Sequence, residues 1–101
     1  MDILQTLVAE FKLKQQHVEN VIALLDDGNT VPFIARYRKE ATGGLDDDQL
    51  RALTERLSYL RNLQKRREEV LTLIGEQGKL TEEIEAAVAA ASTLTEIDDI
   101  Y

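Results

Sequence analysis

The sequence predicts an all-α fold: helix-turn-helix-like helices packed on one long helix of about 30 residues, shorter helices after it, and no sheet. Three observations lead there. Apolar residues recur at three- and four-residue spacing through most of the chain, as the buried stripe of a helix requires. No stretch alternates cleanly between apolar and polar, as a half-buried strand would. The punctuation between stripes is that of helix ends, with capping Asp and Thr, a single proline and five glycines in 101 residues.

Taken in order, Ile3, Leu4, Leu7, Val8 and Phe11 form one stripe on a helix from about Asp2 to Phe11, with Asp2 suited to the cap. Val18, Val21, Ile22 and Leu25 form a second on a helix from about Gln15 to Asp27, closed by Gly28, which takes the left-handed conformation readily. His17 sits beside that stripe and reads as a polar boundary residue, because a catalytic histidine needs a partner. Asn29 or Thr30 caps the next helix and Pro32 suits its first turn, since proline's φ is already helical and its missing N–H costs nothing there. That helix runs from about Pro32 to Lys39. Phe33, Ile34 and Tyr37 fall on one face, which predicts a buried side, while Arg36 and Lys39 point away and Arg38 lies at the border.

Gly43-Gly44 breaks the chain, and a complete helix start follows. Asp46 is the N-cap, Gln49 stands where it can bond back, and Leu45 and Leu50 are spaced as a hydrophobic staple. Asp47 and Asp48 favour the helix dipole, and Arg51 is spaced for i, i+4 pairs with Asp47 and Glu55. Leu50, Leu53, Leu57, Leu60, Leu63, Val70, Leu71 and Ile74 continue the stripe to about Gly75, so the helix is roughly 45 Å long. Gln64 and Arg67 interrupt what would be a coiled-coil seam, which favours a spine among shorter helices over a zipper. Gly75 and Gly78 end it. Thr81 caps a further helix whose buried stripe is Ile84, Ala87, Val88 and Ala91, and Thr93 or Thr95 starts a last turn through Glu96, Ile97 and Asp98. The expected parts are therefore residues 1–45, the long helix 46–76, and the C-terminal helices 81–101.

Composition narrows the function classes. A chain of this length buries roughly 60 to 70% of its unfolded surface, enough for one thin core. With no cysteine there is no disulfide scaffold and no thiolate metal site, and with one histidine the nucleophile-base and zinc constellations lack their parts. The five glycines match neither the dinucleotide nor the P-loop spacing. Asp46, Asp47 and Asp48 are consecutive on a helix and point in different directions, so no metal site is expected. No cofactor and no catalytic residues are expected: the chain reads as a non-enzyme. The first thirty residues have no signal-peptide pattern and no apolar run approaches the roughly 20 residues that cross a bilayer, which predicts a soluble, cytoplasmic protein.

The net charge of −7 argues against a general nucleic-acid binder, but it is unevenly placed. From Thr30 to Arg67 nine basic residues face five acidic ones, a balance of +4; the remainder carries −11. Within this basic island, Arg36, Arg38 and Lys39 form one cationic group and Arg61, Lys65, Arg66 and Arg67 a second. Either group can neutralise phosphates; equally, each can be a solvated helix face, with Glu40 at i+4 from Arg36 and with Glu68 and Glu69 after the second group. Tyr37 and Tyr59 can stack on bases in principle, but their place on apolar stripes points to core or boundary packing.

The run from Thr30 to Asp46 (Thr-Val-Pro-Phe-Ile-Ala-Arg-Tyr-Arg-Lys-Glu-Ala-Thr-Gly-Gly-Leu-Asp), with Leu24-Leu25-Asp26-Asp27-Gly28 before it and Glu76-Gln77-Gly78-Lys79-Leu80 after it, resembles the N-terminal region of the Tex family of bacterial transcription accessory proteins. The resemblance covers most of the chain. It implies a fragment of a longer protein that also carries a nuclease-like domain without established catalysis, a helix-hairpin-helix region and a C-terminal S1 RNA-binding domain, and whose chain continues past the position of Tyr101. It also implies a helix-turn-helix-like character for the first part, which in a DNA-reading interpretation would turn Arg36, Arg38 and Lys39 toward a groove. The expected function is then a helical module of a nucleic-acid-binding transcription accessory protein, mainly a scaffold with an auxiliary phosphate contact. The alternative is a protein-interaction module that docks on a partner such as RNA polymerase or on the other domains of its own chain.

Overall fold

A computed structural model describes residues 2–101. Among them the chain forms seven helices and no strand: α1 (Ile3–Phe11), α2 (Gln15–Asp26), α3 (Val31–Tyr37), α4 (Lys39–Thr42), α5 (Asp47–Glu76), α6 (Glu82–Ala90) and α7 (Leu94–Ile100). No helix among the described residues is long and apolar enough to cross a membrane. The helices belong to two compact units, Asp2–Ser58 and Tyr59–Tyr101, and α5 contributes residues 47–58 to the first and 59–76 to the second.

In the first unit the local signals are realised as bonds. The Asp2 carboxylate accepts from the Gln5 N–H at the start of α1, and Thr30 Oγ1 accepts from Phe33 N–H at the start of α3. After α2, Gly28 at φ 93° lets its N–H reach the Leu25 carbonyl and the Asn29 N–H reach Leu24, the paired bonds that satisfy a helix's last carbonyls. α2 packs against α1, α3 and α4, and Asn20 Nδ2 donates to the Ala41 carbonyl at 2.8 Å. Leu7, Val18, Val21, Ile34, Leu45, Leu50, Leu53 and Leu57 are buried. Each stabilises the unit by about 1.5–3 kcal/mol through burial.

α3 departs from the expected helix. It ends at Tyr37, and Arg38 at φ −125°, ψ 40° bends the chain into the separate one-turn α4. Only Ile34 of its apolar face is buried; Phe33 is 43% and Tyr37 61% exposed, so neither belongs to the core. The seven-residue α3 has one inward anchor, Ile34, and the two rings pack on each other, with centroids 5.2 Å apart.

The start of α5 follows the capping-box pattern: Gln49 N–H donates to Asp46 Oδ1 at 2.8 Å and Asp46 N–H to Gln49 Oε1 at 3.0 Å. Leu45 and Leu50 are both buried, as a staple requires. Arg51 pairs with Asp47 at 3.2 Å and approaches Asp48 at 3.9 Å. A bidentate contact from Arg56 to Glu10, at 2.8 and 2.9 Å, ties α1 to α5.

In the second unit Leu60, Leu63, Val70, Ile74, Val88, Ala91 and Ile97 are buried. α5 runs through Gly75 and ends at Glu76, so Gly78, at φ 71°, is the glycine that closes it. Thr81 caps α6 and Thr93, not Thr95, caps α7. Ala87 is exposed, because the contact of the short α6 is taken by Val88 and Ala91 at its C-terminal end. Half-buried Tyr59 accepts from the Leu94 N–H through its hydroxyl.

Two predictions follow from these contacts. A Cβ at Gly43 (φ 75°) would lie 2.5 Å from the His17 ring, whereas one at Gly28 would meet nothing within 4 Å. Gly28→Ala is therefore expected to cost about 1–2 kcal/mol from backbone strain alone. Gly43→Ala should cost more in urea unfolding, and His17→Ala in that background should recover the excess. Arg56 also holds the Glu10 carboxyl below its ordinary value near 4.5. A depressed carboxylate pKa stabilises the fold above the unfolded value and ceases to do so as pH falls through the folded one. Melting temperature should thus drop as pH falls below about 4.5, and Glu10→Gln should flatten part of that drop.

Candidate nucleic-acid interface

The two cationic groups have different fates once folded. On α5, Arg66 donates through Nε to Asp98 Oδ1 at 3.0 Å and through Nη1 to Glu69 Oε2 at 3.3 Å. These two carboxylates, Asp98 first, hold its guanidinium protonated more firmly than usual. Its guanidinium also lies 5.6 Å from the centre of the Tyr101 ring. Arg67 donates to the Ala91 carbonyl at the end of α6. Arg61 is also engaged. Lys65 is exposed but lines a shallow depression with Glu68 and Glu69. This group therefore works largely inside the second unit, fastening α6 and α7 to α5.

The group around α3 is different. Arg38 turns to Glu40, Nε to Oε1 at 2.9 Å, and this hydrogen bond holds the Glu40 carboxyl below the ordinary glutamate range. The expected Arg36–Glu40 pairing is replaced by this one, because the bend at Arg38 carries Glu40 onto α4, off the helical register of Arg36. Arg36 and Lys39 are exposed, and neither has a carboxylate partner among the described residues. The Arg36 guanidinium lies 6.0 Å from the centre of the Tyr37 ring, which in turn packs on Phe33 at an interplanar angle of 48°. The outcome is a small exposed surface of two rings and two uncommitted cations, with a neutralised Arg38–Glu40 pair beside it.

Of the seven cations singled out from sequence, the fold brings together Arg36, Arg38 and Lys39 in the first unit and Arg61, Lys65, Arg66 and Arg67 in the second. Helical spacing assigns Phe33 and Tyr37 to a buried face, but the structure leaves both exposed, Tyr37 between Arg36 and Arg38 in the chain and Phe33 before them. The shortness of α3, signalled by a proline near its start and two glycines soon after, is the one local hint that the face had little to pack on. Among the described residues no group of three or more His, Cys, Asp or Glu side chains is placed to hold a metal ion.

A family model described as the Tex-like protein N-terminal domain matches residues 1–75. The transcriptional accessory protein Tex of Neisseria gonorrhoeae is 54% identical over 101 residues, which is 100% of this chain and 13% of that protein. Protein tex of Bordetella pertussis is 52% identical over 99 residues, covering 98% of this chain and 12% of that protein. The S1 RNA-binding domain-containing protein 1 of Homo sapiens is 33% identical over 99 residues, covering 98% of this chain and 10% of that protein. The chain thus spans only a small part of the length of each relative.

The difference between the cationic groups is testable by stability alone. Arg67→Ala removes a half-buried side chain and leaves the Ala91 carbonyl without its donor, and is expected to cost about 1–3 kcal/mol. Arg36→Ala and Lys39→Ala should stay within about 0.5 kcal/mol of the parent. Thermal or urea denaturation of the three variants checks both.

Proposed function

Because the chain belongs to the Tex-like N-terminal domain family, we propose that it is the N-terminal helical module of a transcription accessory protein, non-catalytic and cytoplasmic, that adds an auxiliary phosphate contact to a nucleic-acid-binding parent. The relatives named for Tex and for an S1 RNA-binding domain support the transcription and nucleic-acid setting. The observation that carries the contact is the pair of exposed cations on and just beyond α3, Arg36 and Lys39, which no carboxylate neutralises among the described residues. The helix-turn-helix-like order of α2, the Gly28 turn and α3 sets them on a supported surface, since Ile34 anchors α3 in the core. On a chain of net charge −7, such a patch acts at contact range and not as a steering field.

A second reading, docking on a protein such as RNA polymerase or on other domains of the same chain, is favoured by the apolar exposure of Phe33 and Leu73. Salt dependence separates the two. Titration of the chain against labelled single-stranded RNA and duplex DNA is expected to give dissociation constants of about 10⁻⁴ to 10⁻⁶ M. With two phosphate contacts on a single strand, from Arg36 and Lys39, raising salt from about 50 to about 200 mM should weaken binding roughly 7-fold. A variant with Arg36→Glu, Arg38→Glu and Lys39→Glu should not bind. A folded chain that binds neither nucleic acid at low salt would leave the module a scaffold or a protein-docking surface.

A further inference from the structure

The exposed rings of α3 are unusual for this chain. Phe33 and Tyr37 are two of its five aromatic residues, and they stand on the outer side of a helix whose inward anchor is Ile34. Neither is buried in the core. Their neighbours are cationic: Arg36 lies against the Tyr37 ring and Lys39 follows two residues later, while the nearby Glu40 is engaged by Arg38. Aromatic faces beside uncommitted cations are what an unpaired base and its flanking phosphates recognise. A purely apolar protein partner would gain nothing from the cations, and a duplex keeps its base faces stacked and out of reach.

We infer that the Tyr37 ring, buttressed by Phe33, with Arg36 beside it and the exposed Lys39 two residues further along the chain, is a stacking site for one base of single-stranded nucleic acid. The inference rests on the phosphate-contact reading above and adds the strandedness of the ligand and the ring that takes it. Tyr37 is the platform because it is the more exposed of the two, 61% against 43%. The 48° tilt between the rings means that a base lying flat on one cannot lie flat on the other, so the site takes a single base and Phe33 serves as its backing. Arg36 and Lys39 then meet the phosphates on either side of that nucleotide. Nothing in this arrangement reads base identity, so the site should tolerate any sequence.

The test compares a single-stranded oligonucleotide with one of equal length and charge built from abasic nucleotides, at two salt concentrations. The base-bearing strand should bind roughly 5- to 150-fold more tightly than the abasic one. Tyr37→Ala should abolish that difference by the same factor at both salts, leaving the salt slope unchanged, whereas Arg36→Gln with Lys39→Gln should reduce the slope for both strands. Because Tyr37 is exposed, its variants should fold, which circular dichroism confirms. Tyr37→Trp supplies a reporter, as the chain has no tryptophan, and its fluorescence should be quenched by the base-bearing strand alone. Equal binding of the two strands, or a Tyr37→Ala variant that still distinguishes them, overturns the stacking site while leaving the phosphate contact in place. Failure of both strands to bind at low salt overturns both readings.

Discussion

Both compact units depend on the buried stripe of α5. Leu50, Leu53 and Leu57 fill the core of one, Leu60, Leu63, Val70 and Ile74 that of the other, and no other helix contributes as many buried side chains. The remaining helices have 4 to 12 residues, at or below the length at which an isolated helix is even marginal in water. They persist through packing: α2 buries Val18 and Val21, and α1, α3, α6 and α7 each bury one apolar side chain, Leu7, Ile34, Val88 and Ile97. That makes the start of α5 a control point. The reciprocal Asp46–Gln49 bonds and the Leu45–Leu50 staple fix where the 30-residue helix begins.

Polar contacts then specify what apolar burial leaves undetermined. Arg56 grips Glu10, Arg66 grips Asp98, Arg67 reaches the end of α6, and the Tyr59 hydroxyl receives the Leu94 N–H. Surface ion pairs of this kind contribute little energy individually. Their effect is geometric, since a planar guanidinium accepts a partner carboxylate in few orientations. One consequence concerns function: a count of basic residues overstates the cations available to a ligand. Of the positive charge between Thr30 and Arg67, that of Arg38, Arg51, Arg56, Arg66 and Arg67 is engaged within the fold, whereas Arg36 and Lys39 around α3 and Lys65 on α5 are exposed without a carboxylate partner among the described residues.

The family relationship fits this division without explaining it. The matched family region, residues 1–75, contains the first unit and nearly all of α5, and the relatives align through α6 and α7 as well. The chain is a small part of those proteins.

Local structure was legible because its causes are local. Asp2, Thr30, Asp46, Thr81 and Thr93 bond to groups three residues away, Gly28 and Gly78 relieve left-handed strain in their own peptides, and the 3.6-residue period of the leucines is a property of the helix that carries them. The candidate site was legible only in part: spacing placed Arg36, Arg38 and Lys39 together, but it also put Phe33 and Tyr37 in the core. Which apolar residues go inside depends on how much partner surface a helix meets, and for α3 that surface ends at Ile34. Likewise the spending of Arg66 and Arg67 on α7 and α6, and the approach of His17 to Gly43, join groups whose distance in sequence says nothing of their distance in space. Caps, stripes and glycines were thus determined by the sequence itself, whereas the exposure of rings and the freedom of charges were decided by tertiary packing, because both are set by what lies opposite a side chain and not by what lies beside it in the chain.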